Sequence, residues 1–112
     1  KVALNAPHLE SPSVIECETG SVPPLLRPDS SIDTCAFPQN ETSTGVACPV
    51  IRPPGDSLVL VDATSAAGGV RFDANATDVY YFAPQKCFGG DGGLWIATCS
   101  PRAIRRIEQI AA

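Results

Sequence analysis

The sequence predicts an α/β protein built on a mostly parallel sheet, and three observations carry that prediction. Short apolar runs rich in β-branched and aromatic residues recur at 57–62 (SLVLVD), 78–83 (DVYYFA) and 93–99 (GLWIATC), each bounded by turn residues. The first and third lack apolar/polar alternation, the mark of strands buried on both faces, as in a parallel sheet. The final stretch, SPRAIRRIEQIAA, has Ser100 placed to cap a helix, Pro101 in its first turn, and Ile104, Ile107 and Ile110 along one side.

Earlier in the chain the signals are weaker. Residues 12–17 (PSVIEC) and 31–37 (SIDTCAF) read as strands, separated by a proline-bearing segment. Prolines gather before position 56, so the first half is expected to be loop-rich and the second more regular. No internal repeat is present. A sheet this apolar needs helices on both faces, yet one amphipathic helix is readable, so the chain is expected to be part of a larger α/β domain. It also opens on Lys1 rather than methionine, which implies a processed start or a piece of a longer protein.

Composition narrows the function classes. A chain of 112 residues makes one small domain at most, burying roughly 65% of its unfolded surface. Hydrophobic content of 44% against 18% charged marks it as globular. The net charge of -4 and the lack of a long basic run argue against nucleic acid, and Arg102, Arg105 and Arg106 read as a solvated helix face. Five cysteines, an odd number without a CxxC pair, and the single His8 argue for reduced thiols in a cytosolic protein over a disulfide framework or zinc site. The sequons at Asn40 and Asn75 would matter only in a secreted chain, and KVALNAPHLE lacks the apolar centre of a signal peptide. No run approaches the roughly 20 apolar residues of a membrane helix, so no membrane partner is expected.

Ligands of open α/β sheets collect beyond the carboxyl ends of strands, which directs attention to the residues that follow each run. After 57–62 come Thr64, Ser65, Gly68 and Gly69; after 78–83 come Gln85, Lys86 and the glycines at 89, 90, 92 and 93; after 31–37 comes NETST. Asp62 closes an apolar strand, where a carboxylate needs a partner. Three arrangements of Asp62 and Lys86 are compatible with this pattern: an ion pair, two solvated loop residues, or two groups serving one ligand. In the third, a desolvated lysine amine forms a Schiff base with an aldehyde, and a carboxylate keeps a pyridinium nitrogen charged, a pairing suited to pyridoxal phosphate. Thr42, Thr64, Ser65 and Gln85 could then hold the ring oxygen or the phosphate, although the hydroxyls also suit helix capping and the glycines ordinary turns.

The stretches PQNETSTGVACPV, LVDATSAAGG and DVYYFAPQKCFGGDGGLWIA, ending in SPRAIRRIEQIAA, resemble the central segment of phosphoserine aminotransferase of the actinobacterial type, a fold-type I pyridoxal phosphate enzyme. The resemblance is dense over 38–112 and thin over 1–37. It implies a segment of the large cofactor-binding domain, without the small carboxyl-terminal domain. It also implies that Lys86 carries the cofactor and moves the proton, that Asp62 pairs with the pyridine nitrogen, that Thr42 contacts the ring, and that Gln85 and Ser65 neighbour the phosphate. The implied reaction passes an amino group from glutamate to 3-phosphohydroxypyruvate, giving O-phosphoserine and 2-oxoglutarate in serine biosynthesis, in a cytoplasmic homodimer.

Ala66 stands where the family commonly has glycine. The family's glycine-rich phosphate segment, its ring-stacking aromatic residue and its substrate-binding histidines and arginines have no counterpart here, and His8 matches none of them. The fragment alone is therefore expected to be inactive. The alternatives are another fold-type I enzyme, of the alanine-glyoxylate aminotransferase or cysteine desulfurase type, and a non-catalytic structural piece. Cys87, beside Lys86, reads either as a small buried apolar filler or as a reactive thiol.

Overall fold

The computed structural model describes residues 5, 7, 9–24 and 26–112; Lys1 and His8 lie outside the described residues. Among the described residues six strands and one α-helix form: β1 (Thr34–Pro38), β2 (Asn40–Glu41), β3 (Val46–Ala47), β4 (Leu58–Asp62), β5 (Val79–Phe82), β6 (Ile96–Cys99) and α1 (Pro101–Ala111). Four of these strands make one sheet in the order β1-β4-β5-β6, and β2-β3 is a separate antiparallel pair. β1 and β5 flank β4 in parallel, with Pro38 opposite Asp62 and Asp62 opposite Tyr81. β6 returns antiparallel along β5, pairing Ile96 with Phe82.

The alternation of side chains along each strand divides the sheet into two unlike faces. One carries Val59, Val61 and Tyr80, which pack with Ala63, Ala66 and Ala67 and with the partly buried Phe37, Val50, Phe72 and Phe82. Both valines are fully buried, and each contributes about 1.5–3 kcal/mol by leaving water. Phe72 stacks on Tyr80 at 3.9 Å between ring centroids, and the Tyr80 hydroxyl donates to Gln39 Oε1 at 2.8 Å, so its polar end is satisfied inside the core. The opposite face bears an open apolar groove of about 530 Å³, lined by residues that include Thr64, Tyr81, Trp95, Ala97 and Ile107.

At the amino-terminal end of β5, Asp78 ties three elements together. It is 2% exposed, and its carboxylate accepts from Arg52 Nη1 (2.9 Å), the Val59 N–H (3.0 Å) and Ser100 Oγ (2.7 Å). Its carbonyl accepts from the Ser100 N–H at 2.7 Å, which fixes where α1 starts. Ser100 caps that helix, its hydroxyl accepting from the Ala103 N–H.

Three expectations need correction. Residues 12–17 form no strand and pair with none among the described residues, because a strand needs a hydrogen-bonding neighbour that local sequence does not supply. β6 is exposed along most of its length, although its unbroken apolar run predicted burial on both faces: as an antiparallel edge strand it has one neighbour and an open flank. α1 forms as predicted but buries Ala103, leaving Ile104, Ile107 and Ile110 47%, 54% and 70% exposed. All five cysteines are free thiols in this structure. No helix among the described residues is long and apolar enough to cross a membrane.

Candidate active site at the carboxyl ends of the parallel strands

Three loops leave the same end of the sheet, one from each parallel strand, and direct contacts join them. The Gln39 N–H donates to the Asp62 carbonyl at 2.8 Å, holding the exit of β1 against the end of β4. Asn40 Nδ2 donates to Ser65 Oγ at 2.9 Å, and that hydroxyl lies 3.3 Å from the Asn40 carbonyl, joining the β2-β3 hairpin to the loop after β4. That loop makes a short helical turn, with the N–H groups of Ala66 and Ala67 donating to the Ala63 carbonyl.

Asp62 is half-buried at the last position of β4, and its Oδ1 accepts from the Thr64 N–H at 2.9 Å. Tyr81, opposite it on β5, points to the same face. Burial pushes the Tyr81 phenol up, and the negative charge of the neighbouring Asp62 carboxylate pushes it the same way. Asp62 thus stands at the end of a strand, oriented by the Thr64 backbone donor and paired in register with Tyr81.

Lys86 sits in an exposed turn just beyond β5. The turn is closed by the Gly89 N–H donating to the Lys86 carbonyl (3.0 Å) and the Gly90 N–H donating to the Pro84 carbonyl (2.8 Å). Gln85 precedes it, also exposed, and its amide lies across the backbone of Gly92, where an added Cβ would fall 2.6 Å from Nε2. Cys87 Sγ reaches the Ser65 carbonyl at 3.9 Å, which brings the lysine loop against the loop after β4.

Of the five residues singled out from the sequence, Asp62 ends β4, Ser65 lies on the loop that follows it, and Gln85 and Lys86 lie on the adjoining loop after β5. Thr42 lies in the exposed turn of the β2-β3 hairpin at the same end of the sheet. The ion pair between Asp62 and Lys86 is not formed: among the described residues the ion pairs are Arg52–Asp78 and Arg106–Asp33. Sequence reasoning did not single out Tyr81 or Gln39. Tyr81 could have been found by aligning the two parallel runs, since it falls opposite Asp62; Gln39 leaves no comparable signal.

No family model matches the chain. The phosphoserine aminotransferase of Nocardioides sp. is 55% identical over 116 residues, covering all of this chain and 31% of that protein. That of Rhodococcus opacus is 50% identical over 97% of this chain and 30% of its own length. In sequence, the chain is similar to one stretch of phosphoserine aminotransferase. It spans about 30% of the length of the curated relatives it matches.

The crystal structure of a phosphoserine aminotransferase from Cytophaga hutchinsonii superposes with a TM-score of 0.66 at 28% identity, over 77% of this chain and 26% of that one. An alanine-glyoxylate aminotransferase from Nostoc sp. gives 0.61 at 32% identity, over 69% and 22%. The mixed, mostly parallel sheet with its terminal helix is part of the fold-type I aminotransferase architecture.

Proposed function

We propose that this chain is the cofactor-bearing segment of the large domain of a phosphoserine transaminase, which passes an amino group between glutamate and 3-phosphohydroxypyruvate to give O-phosphoserine and 2-oxoglutarate. The observation that carries this reading is the placement of Ser65, Gln85 and Lys86 on adjoining loops beside Asp62, at the carboxyl ends of β4 and β5, in a chain 55% identical along its length to such an enzyme.

The residues present fit pyridoxal phosphate by the chemistry of their donors. Lys86 offers a primary amine in an exposed turn, Asp62 a carboxylate suited to a cationic ring nitrogen, and Ser65, Thr42 and Gln85 offer hydroxyl and amide groups for anionic oxygens. When bound, pyridoxal phosphate supplies an aldehyde for the amino group and a pyridinium ring that accepts the electron pair. Asp62, steadied by the Thr64 N–H, would offer its carboxylate to the ring nitrogen. Lys86 Nζ would take the proton from the α-carbon of the amino donor and deliver it to the cofactor carbon that bears the nitrogen, and would run the same transfer in reverse onto the α-carbon of the keto-acid acceptor. In this reading the whole protein is a cytoplasmic homodimer acting on small molecules.

The test is to incubate the protein with pyridoxal phosphate, reduce with borohydride and map the label by mass spectrometry. The expected label is on Lys86 and not on Lys1, the other lysine of the chain. Equal labelling of both lysines would remove the assignment. A second reading, an alanine-glyoxylate type aminotransferase, draws on the Nostoc structure. Comparing phosphoserine with alanine as amino donor in the protein extended to the length of its relatives separates the two.

A further inference from the structure

The loop that carries Lys86 is seated on the loop after β4 through two glycines. An added Cβ at Gly69 would fall 2.8 Å from Cys87 Sγ, and one at Gly68 would fall 3.0 Å from the Phe88 ring. Contacts that close are open only to a residue without a side chain. Gly68 also has φ +85°, a backbone conformation that side chains disfavour, whereas Gly69 does not share it. Phe88 is anchored in turn, stacking on Phe82 at 5.3 Å, while Phe82 meets Tyr80 edge-on at 6.3 Å. The Cys87 thiol adds a weak donor contact to the Ser65 carbonyl at 3.9 Å.

We propose that Cys87 is a positioning residue for Lys86: its sulfur fills the notch over Gly69 and thereby sets the place of the adjacent amine relative to Asp62 and Ser65. This rests on the reading of Lys86 as the cofactor lysine. The thiol acts as a packing group, so no oxidation or covalent chemistry is involved. Cys87 and Phe88 seat the turn from one side of the lysine, and the hydrogen bond from the Gly90 N–H to the Pro84 carbonyl closes it on the other.

A double-variant cycle tests this. Gly69→Ala introduces a methyl group against the sulfur and is expected to lower borohydride-trapped pyridoxal phosphate on Lys86 about fivefold or more at a fixed, sub-saturating cofactor concentration, as directly contacting groups couple strongly. Cys87→Ala leaves the notch partly empty and lowers the label about twofold, a smaller loss in keeping with a single weak contact. In the double variant the two Cβ atoms stand 3.9 Å apart, an ordinary contact, so labelling recovers to the level of Cys87→Ala alone.

The same four proteins are treated, without cofactor, with an amine-acylating reagent, and the rate at Lys86 is read against Lys1. The same pattern of loss and recovery is expected there, with circular dichroism confirming equal folding. Gly69→Ala matching the parent in both readouts, or a double variant as impaired as Gly69→Ala, overturns the proposal. If the parent takes no cofactor on Lys86, the functional reading fails, and the acylation cycle alone decides the positioning role.

Discussion

A buried carboxylate is unfavourable unless its oxygens are paired, and Asp78 meets that condition with donors from Arg52, Ser100 and the Val59 backbone. Burial by itself would raise this carboxyl, but the hydrogen bonds from Arg52, Ser100 and Val59, together with the Arg52 charge, outweigh it and hold the group below the usual carboxylate range. A depressed folded-state pKa contributes stability that is present above the unfolded value, near 4, and lost as pH falls through the folded one. Urea unfolding from pH 7 down to pH 2.5 should therefore show a loss of stability below about pH 4 that is shallower in Asp78→Asn. Asp78→Ala should cost about 3 kcal/mol or more at pH 7, because it leaves the partly buried Arg52 uncompensated. Lys86 and Asp62 were legible as candidates because a titratable residue just past an apolar run is visible in one dimension. Asp78 was not: it stands at the start of the predicted run 78–83, and its partners Arg52 and Ser100 are 26 and 22 positions away.

Elements were legible where local pattern decides them. β4 and β5 lie within the predicted runs, and α1 begins after the predicted cap. Ser100→Ala should lower stability by about 1–2 kcal/mol in urea unfolding, since the hydroxyl both caps α1 and donates to Asp78. A Ser100→Ala variant as stable as the parent would mean that the backbone bond from the Ser100 N–H to the Asp78 carbonyl suffices to start the helix. Pairing and direction were not legible: the antiparallel sense of β6, and the lack of a partner for 12–17 among the described residues, depend on segments distant in sequence. The apolar run of β6 has the composition of a buried strand, and its Ala97 and Cys99 line the open groove together with Ile107 of α1.

Over the whole molecule, the two faces of the sheet are unequal, one closed by its own core and the other presenting the groove beside Trp95. Trp95, the single tryptophan, is 67% exposed, so its emission should lie near that of indole in water and be strongly quenched by iodide. Emission that shifts to shorter wavelength as protein concentration rises would show that copies of the chain cover this face in solution. The reversal of β6 has a separate consequence. Because β6 starts beside the end of β5, the segment 83–95 leaves and re-enters the sheet at neighbouring points, with Phe82 and Ile96 paired as its two anchors. Lys86 is thus tethered at both ends of a closed loop, which confines its amine to a small volume and gives it a high effective concentration there. Lengthening the glycine-rich arm would change the closure entropy by only about 0.6 kcal/mol per doubling. It would dilute the amine over a larger space, so such insertions would spare the fold and weaken the site.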